Sequence, residues 1–254
     1  MNILITAGGT AERIDHVRSI TNTSTGRLSC AIAETLAARD ETERILYVCG
    51  ERALRPRCAK AEILPTGSAA ELAALVTSLC QSRRIDAIVH AMAVGDFCVR
   101  TVTDCGALAE SALRGLGAAE NGLAPDRAAA LRDAFTHAKG LSRDGKIPSD
   151  AEDLVILLQR TPKVISMLRA LAPRAVIIGF KLLDGVREAD LIATAHALLL
   201  KNDCDYVLAN DLQGIDGDRH IGHLVGRDGS YVTYGDKEAI ARGIAEALTG
   251  GRTA

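Results

Sequence analysis

The sequence contains no tryptophan and few other aromatic residues, which make up 3% of its 254 residues. Many proteins that hold single-stranded nucleic acid stack the bases on aromatic side chains. Positive charge is not in excess either, because 30 lysines and arginines face 32 aspartates and glutamates, for a formal net charge of -2. The composition therefore gives no reason to expect nucleic acid or an anionic membrane surface as the main partner.

Long apolar runs and paired cysteines are also missing. No stretch approaches the roughly 20 apolar residues that cross a bilayer, and residues 1–6 lack the basic start and the cleavage site of a signal peptide. The seven cysteines are scattered and form no CxxC pair, which favours reduced thiols over zinc ligands or disulfides. We therefore expect a cytoplasmic protein with no membrane segment.

What the sequence does contain is a regular alternation of two kinds of segment. Short β-branched or apolar runs predict strands at 2–6, 45–49, 86–91, 175–180 and 205–209. Longer runs rich in alanine, leucine and glutamate predict helices at 26–38, 69–82, 126–138, 187–201 and 236–248. Strand–helix alternation is typical of an α/β fold, so we predict a Rossmann-like, mostly parallel sheet with helices on both faces.

One region interrupts this alternation. Residues 101–150 are rich in glycine and indicate an excursion from the sheet, with a mobile flap near 139–150. The apolar run that follows, 153–158, fits a strand or a buried helix turn, and periodicity alone does not decide between them. We expect a single domain over residues 1–249 and a frayed tail at 250–254.

The C-terminal part contains a turn signal and two histidines. Asp228-Gly229 separates two short apolar runs and predicts a hairpin, because Asp-Gly supplies the positive φ that a tight turn needs. His220 and His223 are three residues apart, but the stretch is extended and offers no obvious third ligand. We interpret both histidines as structural and assign no metal ligand.

The first predicted strand runs directly into Ala7-Gly8-Gly9-Thr10. Glycines at the carboxyl end of a strand let the backbone turn sharply and approach a ligand, and open α/β sheets bind ligands at that edge. The spacing is not G-x-G-x-x-G, so the ordinary dinucleotide fingerprint is absent. A phosphate-binding turn and a plain tight turn explain the pattern equally well.

A polar loop, residues 18–27, precedes the first predicted helix. Ser24 or Thr25 can cap this helix, and the helix N-terminus at Gly26 then offers N–H groups and partial positive charge to a phosphate. Asn22 lies just upstream, where its amide can reach a reacting group. A helix needs one cap, whereas the loop carries several hydroxyl and amide groups. We therefore favour an anion site over an ordinary capped loop.

Further candidate residues follow the ends of later strands or lie in loops. The residues at strand ends are Ala93, Asp96, Lys181 and Asn210. Lys146 lies in the predicted flap, where a lysine can close over a polyphosphate, and Lys201 ends a helix. Spacing alone does not exclude structural roles as turn formers for the strand-end residues, and Lys146 by itself fits a solvated loop lysine better.

Taken together, these motifs resemble the phosphopantothenate–cysteine ligase family. The matching stretches occur in the family's order at 3–10, 14–26, 93–97, 145–147, 161–165, 179–183 and 209–211. The first long block is specific, whereas the later ones are short and gain weight from their order. The resemblance begins at Met1, and Gly-Phe-Lys-Leu-Leu at 179–183 is typical of the stand-alone bacterial form, which lacks the flavin-dependent decarboxylase half of many relatives.

The resemblance implies a ligase of coenzyme A synthesis. The carboxylate of 4'-phosphopantothenate attacks the α-phosphate of a nucleotide, which is CTP in bacterial members, and pyrophosphate is released. The amine of L-cysteine then attacks the acyl-nucleotidylate. The resemblance also implies Mg²⁺ together with the triphosphate, and a homodimer, for which we expect the hairpin after Asp211 to provide part of the contact.

The resemblance further implies roles for individual residues. Asn22 is expected to assist amide formation, and Lys146 to stabilise charge on phosphate. The residues expected to bind the nucleotide or its phosphates are Gly8, Gly9, Thr10, Ser24, Thr25, Gly26, Ala93, Asp96, Phe180, Lys181, Lys201 and Asn210.

Two other classes of function remain as alternatives. A non-catalytic nucleotide-sensing module would use the same pocket and need neither Asn22 nor Lys146. A nicotinamide-dependent oxidoreductase is disfavoured, because the G-x-G-x-x-G spacing and a Tyr-x-x-x-Lys pair are both missing.

Overall fold

The computed structural model of the protein describes residues 1–120, 126–147, 153–217 and 219–250. Residues 148–150 of the predicted flap and 251–254 of the predicted tail lie outside this range. In chain order the strands are β1 (Asn2–Ala7), β2 (Ala11–Arg13), β3 (Ser19–Thr21), β4 (Arg44–Gly50), β5 (Ala61–Thr66), β6 (Ala87–His90), β7 (Phe97–Thr103), β8 (Val155–Arg160), β9 (Val176–Leu183), β10 (Tyr206–Asp211), β11 (Ile215–Asp216), β12 (Arg219–Gly226) and β13 (Tyr231–Asp236). The helices are α1 (Arg27–Ala37), α2 (Ala69–Ser82), α3 (Cys105–Glu120), α4 (Arg127–Thr136), α5 (Ile165–Leu171), α6 (Glu188–Asn202) and α7 (Lys237–Thr249).

The chain divides into two compact units. The first unit consists of Met1–Thr10, Asn22–Val94 and Pro162–Ala254, and the second of Ala11–Thr21 and Gly95–Thr161. The excursion predicted at 101–150 therefore belongs to a larger unit, which begins at Gly95 and also takes in a short stretch near the N-terminus.

The first unit contains a sheet with the order β11-β12-β10-β9-β6-β1-β4-β5, and β13 pairs with β12. The strands from β10 to β5 in this order pair in parallel, whereas β11, β12 and β13 add an antiparallel edge. At the β12–β13 turn Gly229 has a φ of 82°, and its N–H donates to the Gly226 carbonyl oxygen over 3.1 Å. The Rossmann-like, mostly parallel sheet and the C-terminal hairpin are both confirmed.

Alternation along β1 builds a core on each face of this sheet. Ile3 and Ile5 are fully buried and pack with residues of α1 and α7, such as Ile32 and Ile244. Leu4 points to the opposite face, where residues of α2, α5 and α6 surround it. The strands of a parallel sheet that is covered on both faces are nearly continuous apolar runs. These strands could therefore be predicted from the sequence.

The helix bounds follow from caps that the sequence shows. Ser68 accepts the N–H of Glu71 and forms a capping box at the start of α2, and Asp236 accepts an N–H in the first turn of α7. Some elements of the first unit were not predicted, among them β5 and α5. β5 lies at the sheet edge and contains Pro65, which weakens a strand signal, and α5 has only seven residues.

The second unit is built from two small antiparallel pairs and two helices. β2 pairs with β3, and β7 pairs with β8, so the run at 153–158 belongs to a strand. α3 packs closely on α4 at Gly115. A Cβ atom at this position would lie only 2.8 Å from the Ala130 carbonyl oxygen. Val99, Val102 and Ile147 form a buried cluster. Within the described ranges of both units, no helix is both long enough and apolar enough to cross a membrane.

Candidate active site

The glycine turn after β1 is packed too tightly for any other residue. Gly8 has a φ of 77°, and a Cβ atom there would lie 2.6 Å from the Cβ of Ala53. A Cβ atom at Gly9 would lie 2.6 Å from the carbonyl oxygen of Asn22. The turn is therefore a junction between the ends of several loops at the carboxyl edge of the sheet, which is the edge where open α/β sheets bind ligands.

Ala93, which follows β6, joins this junction through its backbone. Its N–H donates to the Gly8 carbonyl oxygen over 2.8 Å, and its own carbonyl oxygen accepts the Thr10 N–H over 3.2 Å. The same oxygen accepts the side-chain amide of Asn22 over 3.3 Å. The structure thus brings together Gly8, Gly9, Thr10, Asn22 and Ala93.

The start of α1 lies against the same turn, but its cap differs from the predicted one. Gly26 is the N-cap residue, with a φ of 71° and no side-chain capping bond, so the prediction that Ser24 or Thr25 caps α1 was wrong. A left-handed glycine positions the first turn without a hydroxyl. A Cβ atom at Gly26 would lie 3.2 Å from the backbone nitrogen of Gly8. The helix start and the glycine turn therefore adjoin, with the positive end of the helix dipole beside glycine backbone.

The hydroxyls of Ser24 and Thr25 are available for hydrogen bonding to a ligand. Neither makes a hydrogen bond to another side chain or backbone group within the described residues. The backbone here is nevertheless ordered, since the Ser24 N–H donates to the Asn22 carbonyl oxygen over 3.0 Å and the Thr25 carbonyl oxygen accepts the Leu54 N–H over 3.0 Å. An ordered loop whose hydroxyl groups are available for hydrogen bonding, next to a helix N-terminus, can bind an anion.

β9 and β10 contribute three predicted residues to the same sheet edge. Phe180 faces the α1–α7 side and packs against that core, and Lys181, the next residue in β9, points to the opposite face. Asn210 is buried, and its side-chain amide donates to the Ile221 carbonyl oxygen over 2.8 Å. The Asn210 amide nitrogen thus holds β12 beside β10, which is a structural task.

Lys201 is not brought to this edge. It lies in the last turn of α6, which runs from the end of β9 back to the start of β10. That turn is at the amino edge of the parallel strands, opposite to Gly8 and Gly9. In the last turn of α6, a cation such as that of Lys201 interacts favourably with the helix dipole.

Asp96 and Lys146 belong to the second unit. The Asp96 side chain is exposed, and its backbone oxygen accepts the Thr161 N–H over 3.1 Å. Lys146 is exposed in a segment that was predicted to be a mobile flap. Its described part, 139–147, is hydrogen-bonded to the rest of the unit, for example from the Leu141 N–H to the Val102 carbonyl oxygen over 2.7 Å.

Family models match residues 1–106 and 127–250 to the family described as DNA/pantothenate metabolism flavoprotein C-terminal domain. The chain belongs to this family. Among curated relatives, the coenzyme A biosynthesis bifunctional protein CoaBC of Thermococcus kodakarensis is 27% identical over 226 residues, which are 89% of this chain and 45% of that protein. The chain therefore spans about half the length of the curated relatives it matches first.

Two solved structures resemble the chain to different degrees. The DNA/pantothenate metabolism flavoprotein from Streptococcus pneumoniae has 31% identity and a TM-score of 0.80, with 98% of this chain and 99% of that chain covered. A Cab2 mutant in complex with phosphopantothenate-cysteine shares the fold, with a TM-score of 0.65, 17% identity and coverage of 98% and 87%. The resemblance drawn from the sequence motifs is confirmed at the level of the family.

In this member of the family, a buried histidine that was not predicted supports the junction of the glycine turn with Asn22 and Ala93. His90 ends β6, and its Nδ1 lies 2.9 Å from the Thr6 hydroxyl, which also accepts the Met92 N–H over 3.1 Å. Burial lowers the pKa of His90 to about 4, so the ring is neutral at pH 7. These bonds tie the ends of β1 and β6 together. A single histidine in an apolar strand carries no sequence signal for this task.

The described residues of this family member offer no preformed metal cage, since no three His, Cys, Asp or Glu side chains among them are clustered. Mg²⁺ commonly binds through substrate phosphates and one or two carboxylates and keeps several waters. His223 contacts the Thr233 hydroxyl through Nδ1 over 2.9 Å, and His220 is buried in the same strand.

Proposed function

We propose that the chain is a phosphopantothenate–cysteine ligase that uses CTP. The observation that carries the proposal is the junction of Gly8, Gly9, Asn22 and Ala93 with the glycine-capped start of α1. It combines backbone groups suited to phosphate with a side-chain amide at one sheet edge. Membership of a family with relatives named for coenzyme A biosynthesis supports this substrate class, as does the fold neighbour solved with phosphopantothenate-cysteine.

In the first step, a carboxylate oxygen of 4'-phosphopantothenate forms a bond to the α-phosphorus of CTP. The bond from that phosphorus to the β-phosphate oxygen breaks, and pyrophosphate leaves with the electron pair. The glycine turn and the first turn of α1 hold phosphate oxygens through backbone N–H groups, and Lys146 offsets the negative charge that develops. Mg²⁺, when bound, would supply further charge compensation on the triphosphate.

In the second step, the amine of L-cysteine attacks the acyl carbon of the acyl-cytidylate. The new C–N bond forms, the bond from the acyl carbon to the phosphate oxygen breaks, and CMP leaves while the amine loses a proton to solvent. The Asn22 amide, held beside Ala93, donates a hydrogen bond to the mixed anhydride and stabilises the charge on its oxygens.

Pyrophosphate release measured with each of the four nucleoside triphosphates tests the proposal. We expect release only when 4'-phosphopantothenate and Mg²⁺ are present, with CTP as the preferred nucleotide, and amide formation only when L-cysteine is added. Binding of CTP in calorimetry without turnover in the complete mixture would reject the ligase and favour a nucleotide-sensing module. Turnover with ATP in place of CTP would correct the nucleotide alone.

We further propose that the protein acts as a homodimer that uses the β12–β13 hairpin. Within the described residues β13 pairs on one side only, and it exposes Tyr231 by 45% and Val232 by 56%. An edge strand with exposed apolar residues can pair with a second copy. Light scattering should give twice the chain mass, and Val232→Lys should shift the protein toward the monomer.

A further inference from the structure

The turn between β2 and β3 is hydrogen-bonded to the segment that carries Lys146. The Ile147 N–H donates to a carboxylate oxygen of Asp15 over 3.1 Å, and the Ile147 carbonyl oxygen accepts from the Arg18 guanidinium over 3.2 Å. On the other side of Lys146, the His16 N–H donates to the carbonyl oxygen of Gly145 over 3.3 Å. The backbone is therefore fixed immediately before and after the lysine, within one unit.

Asp15 is the centre of this arrangement. Its side chain has no exposed surface, and one oxygen accepts the N–H groups of Val17 over 2.8 Å and Arg18 over 2.7 Å. The other oxygen accepts from the Arg18 guanidinium through two nitrogens, over 3.0 and 2.6 Å, and from the Ile147 N–H. The Arg18 guanidinium, helped by these backbone N–H groups, holds the pKa of Asp15 far below its ordinary value. Such charge-assisted bonds offset the cost of burying a carboxylate.

Lys146 contrasts with its neighbours. The Ile147 side chain is only 1% exposed and belongs to the buried cluster with Val99 and Val102. The Lys146 side chain is exposed, and within the described part of the chain its ammonium makes no hydrogen bond or ion pair. The backbone on both sides of Lys146 is fixed by hydrogen bonds, and its ammonium is not engaged by another described group. This is how a preorganised positive charge is arranged.

We propose that Asp15 is a positioning residue, which acts through Ile147 and Arg18 to fix the backbone of Lys146 and so to aim its ammonium at phosphate. The inference rests on the proposed function, because it takes the charge-stabilising task of Lys146 from there. Preorganised charge stabilises a transition state without reorganisation, and a misplacement of about 1 Å can lower a rate about 100-fold. Asp15 makes no contact with substrate in this proposal.

A double-mutant cycle tests the inference through the rate of pyrophosphate release in single turnovers. Asp15→Asn keeps the size of the side chain but removes its charge, and it should slow release by about 10- to 100-fold while the KM for 4'-phosphopantothenate stays close to that of the unchanged protein. In the Lys146→Ala background, Asp15→Asn should cost nothing further, because the group that it positions is gone. Equal fold losses in both backgrounds, or no loss in either, would overturn the inference.

Two further variants keep the outcome decisive. If circular dichroism shows that Asp15→Asn does not fold, Arg18→Lys takes its place in the cycle, since lysine keeps a cation for Asp15 but lacks the planar fork that also reaches Ile147. Asp126→Asn is the matched control, because Asp126 caps α4 in the same unit by accepting the Ala129 N–H over 2.6 Å. It should leave both rates unchanged.

The failure of this inference is distinguishable from the failure of the proposed function. Unchanged pyrophosphate release in Lys146→Ala alone would remove the proposed task of the lysine, and the positioning task with it. If Lys146→Ala slows release but Asp15→Asn costs the same in both backgrounds, the task of Lys146 stands and only the positioning by Asp15 is rejected.

Discussion

Gly9 lies so close to Asn22 that a Cβ atom on the glycine would meet the Asn22 carbonyl oxygen at 2.6 Å. The Asn22 side-chain amide donates to the Ala93 carbonyl oxygen, which also accepts the Thr10 N–H. The place of this amide is therefore set by backbone groups from the ends of β1 and β6. A site held by backbone contacts tolerates few changes in main-chain position, and the first two predictions use this sensitivity.

Asn22→Ala should impair amide formation more than nucleotide activation. Loss of one preorganised hydrogen-bond donor to a charged intermediate lowers rates by about 100- to 1000-fold in comparable sites. Pyrophosphate release in a single turnover should fall much less, because Asn22 is assigned to the second step. Rapid-quench measurement of acyl-cytidylate formation and decay checks this, and accumulation of the intermediate is the expected result.

The matched control for that variant is Asn202→Ala. Asn202 is also an asparagine whose amide bonds a backbone oxygen, that of Leu198 over 2.8 Å, but it lies at the end of α6. This variant should lose stability without changing the ratio of the two step rates. If Asn22→Ala slowed both steps equally, the assignment of Asn22 to the second step would be wrong.

Gly9→Ala should displace Asn22. The added carbon overlaps the Asn22 carbonyl oxygen, and overpacking of this kind costs about 1–3 kcal/mol of the free energy of unfolding. Because backbone has to move, amide formation should fall along with stability. Gly117→Ala is the control, since a Cβ atom there meets nothing within 4 Å and alanine favours the helix. Urea unfolding together with amide formation measures both effects, and unchanged activity in Gly9→Ala would contradict the tight contact.

Much of the first unit could be predicted, because its signals are local. The strands of a parallel sheet are continuous apolar runs, and helix caps such as Ser68 and Asp236 mark helix bounds within a residue or two. The meeting of Ala93 with the glycine turn also follows from topology, since β6 and β1 are parallel neighbours whose carboxyl ends share one edge. The cap of α1 did not follow, because a left-handed Gly26 replaces the hydroxyl that the polar loop offered.

The second unit was hard to predict because its contacts join distant parts of the chain. β2 and β3 have three residues each, and the bond from Ile147 to Asp15 spans 132 positions. No local pattern reports such a pair. The position of Lys201, in contrast, could have been predicted, because a helix that links two parallel strands must end at their amino edge. The sequence analysis placed Lys201 correctly at the end of a helix, but it did not take account of the edge of the sheet at which that helix ends.

Stability should fall as the pH is lowered from about 6.5 to 4. Burial lowers the pKa of His90 to about 4, and burial together with Lys237 lowers the pKa of His220 to about 4. In the unfolded chain a histidine titrates near about 6.5, so in this window the unfolded state binds protons that the folded state excludes. The free energy of unfolding therefore decreases with falling pH, by up to about 3 kcal/mol for the fully buried His90.

Urea unfolding at several pH values between 7 and 4 measures this dependence. His90→Gln and His220→Gln should each flatten the curve, and the double variant should remove most of its slope in this window. A slope that both single variants leave unchanged would show that other groups are responsible. The sign is diagnostic, because a histidine stabilised by a carboxylate partner would give the opposite trend.

Lys181 and Lys201 should respond differently to the same substitution. Lys181 lies near the carboxyl end of β9, on the edge that carries the glycine turn, whereas Lys201 lies at the amino edge in the last turn of α6. Loss of a charge-assisted bond costs about 1.5–3 kcal/mol, so Lys181→Ala should raise the KM for CTP by at least about tenfold. Lys201→Ala should leave that KM unchanged and lower only the free energy of unfolding, by about 0.3–1 kcal/mol, because its cation serves the helix dipole. Initial rates at varied CTP compare the two variants, and a KM that rises equally in both would contradict the assignment of Lys201 to the opposite edge.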